Sequence, residues 1–80
     1  MNISQLEYLV SAIHLGSYSR AAKEQFVTPQ AVSKAIRTLE SELGLKLILS
    51  SGKTISPTDV GLLIAEEAEA VIHHAGKIGS

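Results

Sequence analysis

The chain has 80 residues, no cysteine and a formal net charge of −1, with seven basic and eight acidic residues. A chain of this size forms one small domain with a limited core, often completed by a partner. The absence of cysteine excludes a disulfide framework and a thiolate metal site and suits a reducing cytoplasm. No leader precedes the first apolar periodicity and no apolar run approaches membrane-spanning length, so a cytoplasmic protein is expected. The near-zero charge is unevenly spread. Between Ser17 and Lys53 lie six basic residues (Arg20, Lys23, Lys34, Arg37, Lys46 and Lys53) against three acidic ones, and the rest of the chain carries one basic and five acidic. A basic middle suits phosphate.

The first helix is expected from about Ser4 to Leu15, with Ile3, Leu6, Leu9, Val10 and Ile13 on one face and Gly16 as its stop. Tyr8 falls off that stripe, at the domain edge or against a partner chain. His14 reads as a surface residue near a helix C-terminus, because no carboxylate or second histidine stands at helical spacing from it. A second, short helix runs from Ser17 to Gln25, capped by Ser17 or Ser19. Its Ala21 and Ala22 admit another helix backbone closely, Tyr18 and Phe26 are expected to fill the space around that contact, and Val27 closes the turn.

Thr28 to Gly44 then reads as a helix with two opposed faces. Thr28 is a favoured N-cap, Pro29 suits the first helical position, and Gly44 follows the last apolar residue. Val32, Ile36, Leu39 and Leu43, with Ala35 beside them, form the buried stripe. Nearly opposite lie Gln30, Ser33, Lys34 and Arg37. Two hydrogen-bonding side chains at the helix N-terminus with two cations behind them is what a helix in the DNA major groove needs, the former for base edges and the latter for phosphates. The plain alternative is the solvated face of an amphipathic helix. A short helix, a tight turn and this helix make a helix-turn-helix.

After Gly44 the period shortens. Leu45, Leu47 and Leu49 alternate with Lys46 and Ile48, and Thr54 to Ser56 offers a second strand across the run SSGK, so a hairpin with Lys53 near its tip is expected. Pro57 stops the strand and Thr58 caps a last helix reaching Ile78. Val60, Ile64, Ala68, Val71, Ala75 and Ile78 form its stripe, broadened by Ala65 and Ile72, while Leu62 and Leu63 project elsewhere. Glu66, Glu67 and Glu69 make an acidic rim. His73 and His74, about 100° apart on a helix, read as solvated or interfacial rather than metal ligands. The start of this helix is expected to rest on its own domain, and Ala68, Val71, Ile72, Ala75 and Ile78 to meet a symmetry mate in antiparallel fashion.

The order helix, short helix, recognition helix, wing, long helix resembles the N-terminal DNA-binding domain of LysR-type transcriptional regulators along essentially the whole chain. The segments MNISQLEYLV, GSYSRAA, VTPQAVSKAIRTLESELGLKL and TDVG carry the resemblance, in order and at the family spacing. It implies a mainly α fold with a small β wing, a winged helix-turn-helix over 1–57 and a linker helix over 58–80 through which the domain dimerises. It also implies a separate effector-binding domain for a small molecule, absent from this chain. Carried over by position, the family's base and phosphate contacts point to Thr28, Pro29, Gln30, Ser33, Lys34 and Lys53; Arg37 and Arg20 are added here as neighbouring cations. The chain departs from the family in placing Pro29 before Gln30, in having Ile48 and Ser50 where the wing usually has Phe and Arg, and in having Gln25 at a usually apolar position, for which Phe26 is expected to compensate. The expected function is sequence-specific binding of double-stranded DNA as a dimer on a dyad operator, without cofactor or metal. A protein-interaction module of the same fold is the second reading. An enzyme has almost no support, because no cysteine nucleophile, glycine-rich phosphate loop or metal-spaced histidine set is present.

Overall fold

Asn2 starts the first helix, α1 (Ile3–Leu15). Its side chain accepts from the Gln5 amide at 2.9 Å, and the Gln5 side chain accepts from the Asn2 amide at 3.0 Å. This reciprocal cap satisfies two otherwise orphaned donors and begins the helix just ahead of the expected Ser4. The computed structural model describes residues 1–79, and side chains as far as Ile72. The readings of His73 and His74 as solvated or interfacial, and of Ala75 and Ile78 as interfacial, therefore lie outside the described residues.

Ser17, not Ser19, caps α2 (Tyr18–Gln25), accepting from the Arg20 amide at 3.2 Å. Thr28 caps α3 (Pro29–Leu43) in the same way, accepting from the Ala31 amide at 3.1 Å, with Pro29 in the first turn. The α1 helix packs against α2, α3 and the last helix, so it is the spine of the domain. Leu9, Ala12, Ala21, Val32, Ile36, Leu39 and Leu47 are fully buried around it. Each large side chain among them contributes roughly 1.5–3 kcal/mol. Tyr8, placed at the edge from sequence, packs partly buried against this core.

The turn between α2 and α3 corrects one expectation. Phe26 fills no space: it is 94 % exposed and holds a left-handed backbone at φ 58°. The chain must turn sharply here for Val27 N–H to reach the Ala22 carbonyl at 3.0 Å, and the left-handed residue that allows this has its side chain thrown outward. An L-residue in that region costs about 1–2 kcal/mol, and Phe26 recovers none of it by packing. Phe26→Gly should therefore raise stability by roughly 0.5–1 kcal/mol after the entropy that glycine adds to the unfolded chain. A higher urea midpoint at unchanged slope is the expected result, and a lower midpoint would contradict it.

The wing begins later than its leucine alternation suggests. Strands β1 (Ile48–Ser51) and β2 (Thr54–Pro57) pair antiparallel, Ile48 opposite Pro57 and Ser51 opposite Thr54. Leu45 to Leu47 are not strand, because their polar groups are satisfied elsewhere. The Glu40 carboxylate accepts from the amides of Leu47 at 2.7 Å and Ile48 at 3.3 Å. The Leu47 carbonyl accepts from Thr58 N–H at 3.0 Å, and the Lys46 carbonyl from the Thr58 hydroxyl at 2.7 Å. The loop proper is Gly52-Lys53, in which Gly52 supplies the positive φ of 62° that a two-residue hairpin turn demands.

Thr58 caps α4 (Asp59–Gly79), its hydroxyl accepting from the Gly61 amide at 3.0 Å. The inward line of α4 is Gly61, Ala65 and Ala68, all buried, with Val60 and Ile64 packed partly against the core. Small residues let α4 lie close on α1, whereas Leu62, Leu63 and Val71 are exposed. Ala68 is 3 % exposed within the single chain, so most of its side chain is already covered in this intramolecular seam and little of it is left for the partner surface expected from sequence. Polar ties supplement the packing. Buried Ser11 donates to Glu24 at 2.6 Å, joining α1 to α2, and His14 pairs with Glu69 across α1 and α4. That carboxylate comes from a different helix, out of reach of a search along α1 alone. The N-terminal amine of Met1 pairs with Glu42, and this hydrogen bond, chiefly, holds the Glu42 carboxyl below the usual range.

Candidate nucleic-acid interface

Three pieces of the chain converge on one open groove: the starts of α2 and α3 and the tip of the wing. Ser17, Tyr18, Ser19, Pro29, Gln30, Ser33, Gly52 and Lys53 line it. The turn at Phe26 brings the first turn of α3 beside α2. A main-chain bond ties the wing to the end of α1, with Ile55 N–H donating to the Gly16 carbonyl at 3.1 Å. This anchors β2 to the residue just ahead of the Ser17 cap, so the Gly52-Lys53 tip lies beside the start of α2.

The groove is mixed in character, and its polar side chains offer both donors and acceptors. Gln30 is exposed, Ser33 is partly buried, and Lys53 is exposed at the wing tip. Burial and the negative charge of Glu40 push the Tyr18 phenol above its ordinary value, against a smaller opposing effect of Arg37. Tyr18 therefore stays a neutral phenol near pH 7, able to donate as well as accept. The Arg37 guanidinium donates to the Ser33 hydroxyl at 3.0 Å, one turn back along α3.

Of the eight residues expected at the interface, Pro29, Gln30, Ser33 and Lys53 meet in the groove. Thr28 is exposed, but its hydroxyl oxygen is engaged in capping α3. Lys34, Arg37 and Arg20 are exposed and lie outside the groove lining. Sequence reasoning missed Tyr18, Ser17 and Ser19 as lining residues, reading Tyr18 as filler and the serines as caps. The available signal was that residues at the start of α2 stand on the same edge of a helix-turn-helix as the start of α3.

A second groove, nearly all apolar, lies on another face. Met1, Leu6, Leu43, Leu63, Ile64, Glu67, Ala68 and Val71 line it, between α1, the end of α3 and α4. Leu63 is 59 % and Val71 53 % exposed, and Ile72 is partly buried. Among the described residues, no helix is long and apolar enough to cross a membrane.

Comparison with known proteins agrees on the fold. A family model described as bacterial regulatory helix-turn-helix protein, lysR family, matches residues 3–62. The chain is 32 % identical over 72 residues to the nitrogen assimilation regulatory protein nac of Escherichia coli (strain K12), covering 90 % of this chain and 24 % of that protein. It is 37 % identical over 79 residues to the HTH-type transcriptional regulator YxjO of Bacillus subtilis (strain 168), covering 96 % and 27 %. The chain thus spans about a quarter of the length of the curated relatives it matches. Among solved structures, the CbnR_DBD–DNA complex superposes with a TM-score of 0.91 at 29 % identity, covering 99 % of this chain and 91 % of that one. The BenM_DBD/catB site 1 DNA complex gives 0.91 at 23 % identity, covering 98 % and 87 %, a likeness of fold.

Proposed function

This chain belongs to the lysR family of bacterial regulatory helix-turn-helix proteins, and from that premise we propose that it binds double-stranded DNA sequence-specifically, with α3 in the major groove. One observation carries the reading: Gln30 and Ser33 of α3 share one groove with Lys53, which comes from the wing, far along the chain. Gln30 and Ser33 stand where helix-turn-helix proteins touch base edges. Lys53, Lys34 and Arg37 supply charge for the phosphates on either side, with Arg20 as a further cation, and the Tyr18 phenol adds a neutral donor. Residues 1–57 form the winged helix-turn-helix, and 58–80 are the linker through which two copies pair. Val71 and Ile72, continued by Ala75 and Ile78, are the residues of α4 assigned to that pairing. The apolar groove beside Leu63 and Val71 supports it, since a second copy would cover a surface otherwise left to water. A two-fold pair would present two α3 helices to related half-sites of a dyad operator. The module acts in the cytoplasm, where its DNA is, as the binding part of a longer regulator and not as an enzyme. Any small-molecule effector would act through the rest of that regulator.

The test is DNA binding as a function of salt and sequence. A dimer neutralising roughly six to eight phosphates should give a log–log salt slope of about −5 to −7, and Lys53→Ala should weaken all sequences alike and make the slope shallower. Gln30→Ala should cost about 1–3 kcal/mol on the preferred site and relax preference at one position per half-site. A slope near zero for the parent would instead favour a protein-interaction module. Unchanged sequence preference in Gln30→Ala would displace α3 from the assigned register.

A further inference from the structure

Arg37 is one turn beyond Ser33 on the same face of α3, and its guanidinium donates to the Ser33 hydroxyl at 3.0 Å. A guanidinium carries donors only, so in this bond the serine oxygen must accept. One of its lone pairs is thereby used. The adjacent positive charge disfavours a second donor approaching the same oxygen and favours the outward use of its O–H. A serine hydroxyl left to itself is ambidextrous, able to accept from a base amino group or to donate to a base carbonyl or ring nitrogen.

We propose that Arg37 is a positioning residue that commits Ser33 to donating, so that the base facing Ser33 is selected for a hydrogen-bond acceptor. The assignment rests on the reading of α3 as the helix in the major groove. In that groove guanine, adenine and thymine each present at least one acceptor, whereas cytosine presents only its amino donor. The selection is therefore against cytosine. The placement of the two residues fits this division of labour. Ser33 lines the groove with Gln30 and Lys53, while Arg37 is outside the lining and reaches the groove through Ser33. The bond also restricts the Ser33 side chain before DNA arrives, which reduces the ordering cost of the contact.

Competition binding of the 80-residue chain to a dyad site and to its single-base variants tests the assignment, using the parent, Ser33→Ala, Arg37→Met and the double variant. The parent should disfavour cytosine at one position per half-site by about fivefold relative to guanine or thymine, the worth of one hydrogen bond. Ser33→Ala should abolish that penalty. Arg37→Met, exposed and with a stem of similar length, should shrink it to about twofold or less at the same position, and the double variant should match Ser33→Ala. Preferences lost in Gln30→Ala should be untouched by Arg37→Met. If Arg37→Met weakens all four base variants equally and keeps the cytosine penalty, Arg37 is a phosphate contact alone and the assignment is overturned. If Ser33→Ala loses no base preference while Gln30→Ala does, the assignment is overturned with the placement of α3 intact. If neither loses any, the placement of α3 falls and takes the assignment with it.

Discussion

Gly61→Ala is expected to destabilise the domain by roughly 3 kcal/mol or more, although alanine is the better helix former by about 1 kcal/mol. The first turn of α4 lies directly on the main chain of Leu47. A Cβ at position 61 would stand 2.1 Å from the Leu47 carbonyl oxygen and 2.9 Å from its carbon. That neighbour is backbone and cannot swing aside like the end of a side chain. It is also held on both sides, by Glu40 at the Leu47 amide and by Thr58 N–H at the Leu47 carbonyl. Relief requires α4 to lift, which uncovers Ala65, Ala68 and fully buried Leu47, or requires the entry to the wing to shift. In a domain of this size each kcal/mol lowers the melting temperature by about 4–8 °C. A melt displaced by less than about 4 °C would show that α4 is not seated on Leu47. Because Leu47 leads into β1, the surviving folded fraction should also bind DNA more weakly through a displaced Lys53.

Val71→Asp should convert dimers to monomers and weaken binding to a dyad site by about 100-fold or more, while leaving the fold of each chain intact. Val71 is 53 % exposed, so the substitution removes little that the single chain buries. In the proposed pair the same position is covered, and an unpaired carboxylate there is costly. Dyad binding loses most because two linked α3 helices hold two half-sites at a high effective concentration, whereas separate monomers do not. Val71→Ala should fall between the two, since it trims area without adding charge. Sedimentation would read the first effect and titration of single and double half-sites the second. A parent that sediments as a monomer at high concentration, yet binds a dyad tightly, would remove α4 from the account.

The helices are legible in the sequence because their signals are local. Ser17, Thr28 and Thr58 cap where they were expected to, Gly16 and Gly44 end their helices, and Val32, Ile36 and Leu39 face inward at helical spacing. A cap is an interaction across three residues, and an amphipathic stripe needs only one helix to define it. The polar face of α3 followed from the same periodicity, which is why Gln30, Ser33 and Lys34 could be placed together on it from sequence.

What sequence could not decide was every relation in which a backbone group finds its partner in another element. The alternating leucines after Gly44 look like a strand, but Leu47 spends its amide on Glu40 and its carbonyl on Thr58. Phe26 looks like core, but a left-handed turn residue points its side chain to water. The apolar stripe of α4 read from sequence does pack inward at Val60, Ile64, Ala65 and Ala68, but nothing in it marked Gly61, which is seated on the Leu47 main chain. The chain by itself determined which segments are helical and which face of α3 is polar. Only the folded domain decided that the wing tip, the start of α2 and the start of α3 form one groove, because the Ile55 to Gly16 bond that ties the wing to the end of α1 has no side chain in it and leaves no mark on the sequence.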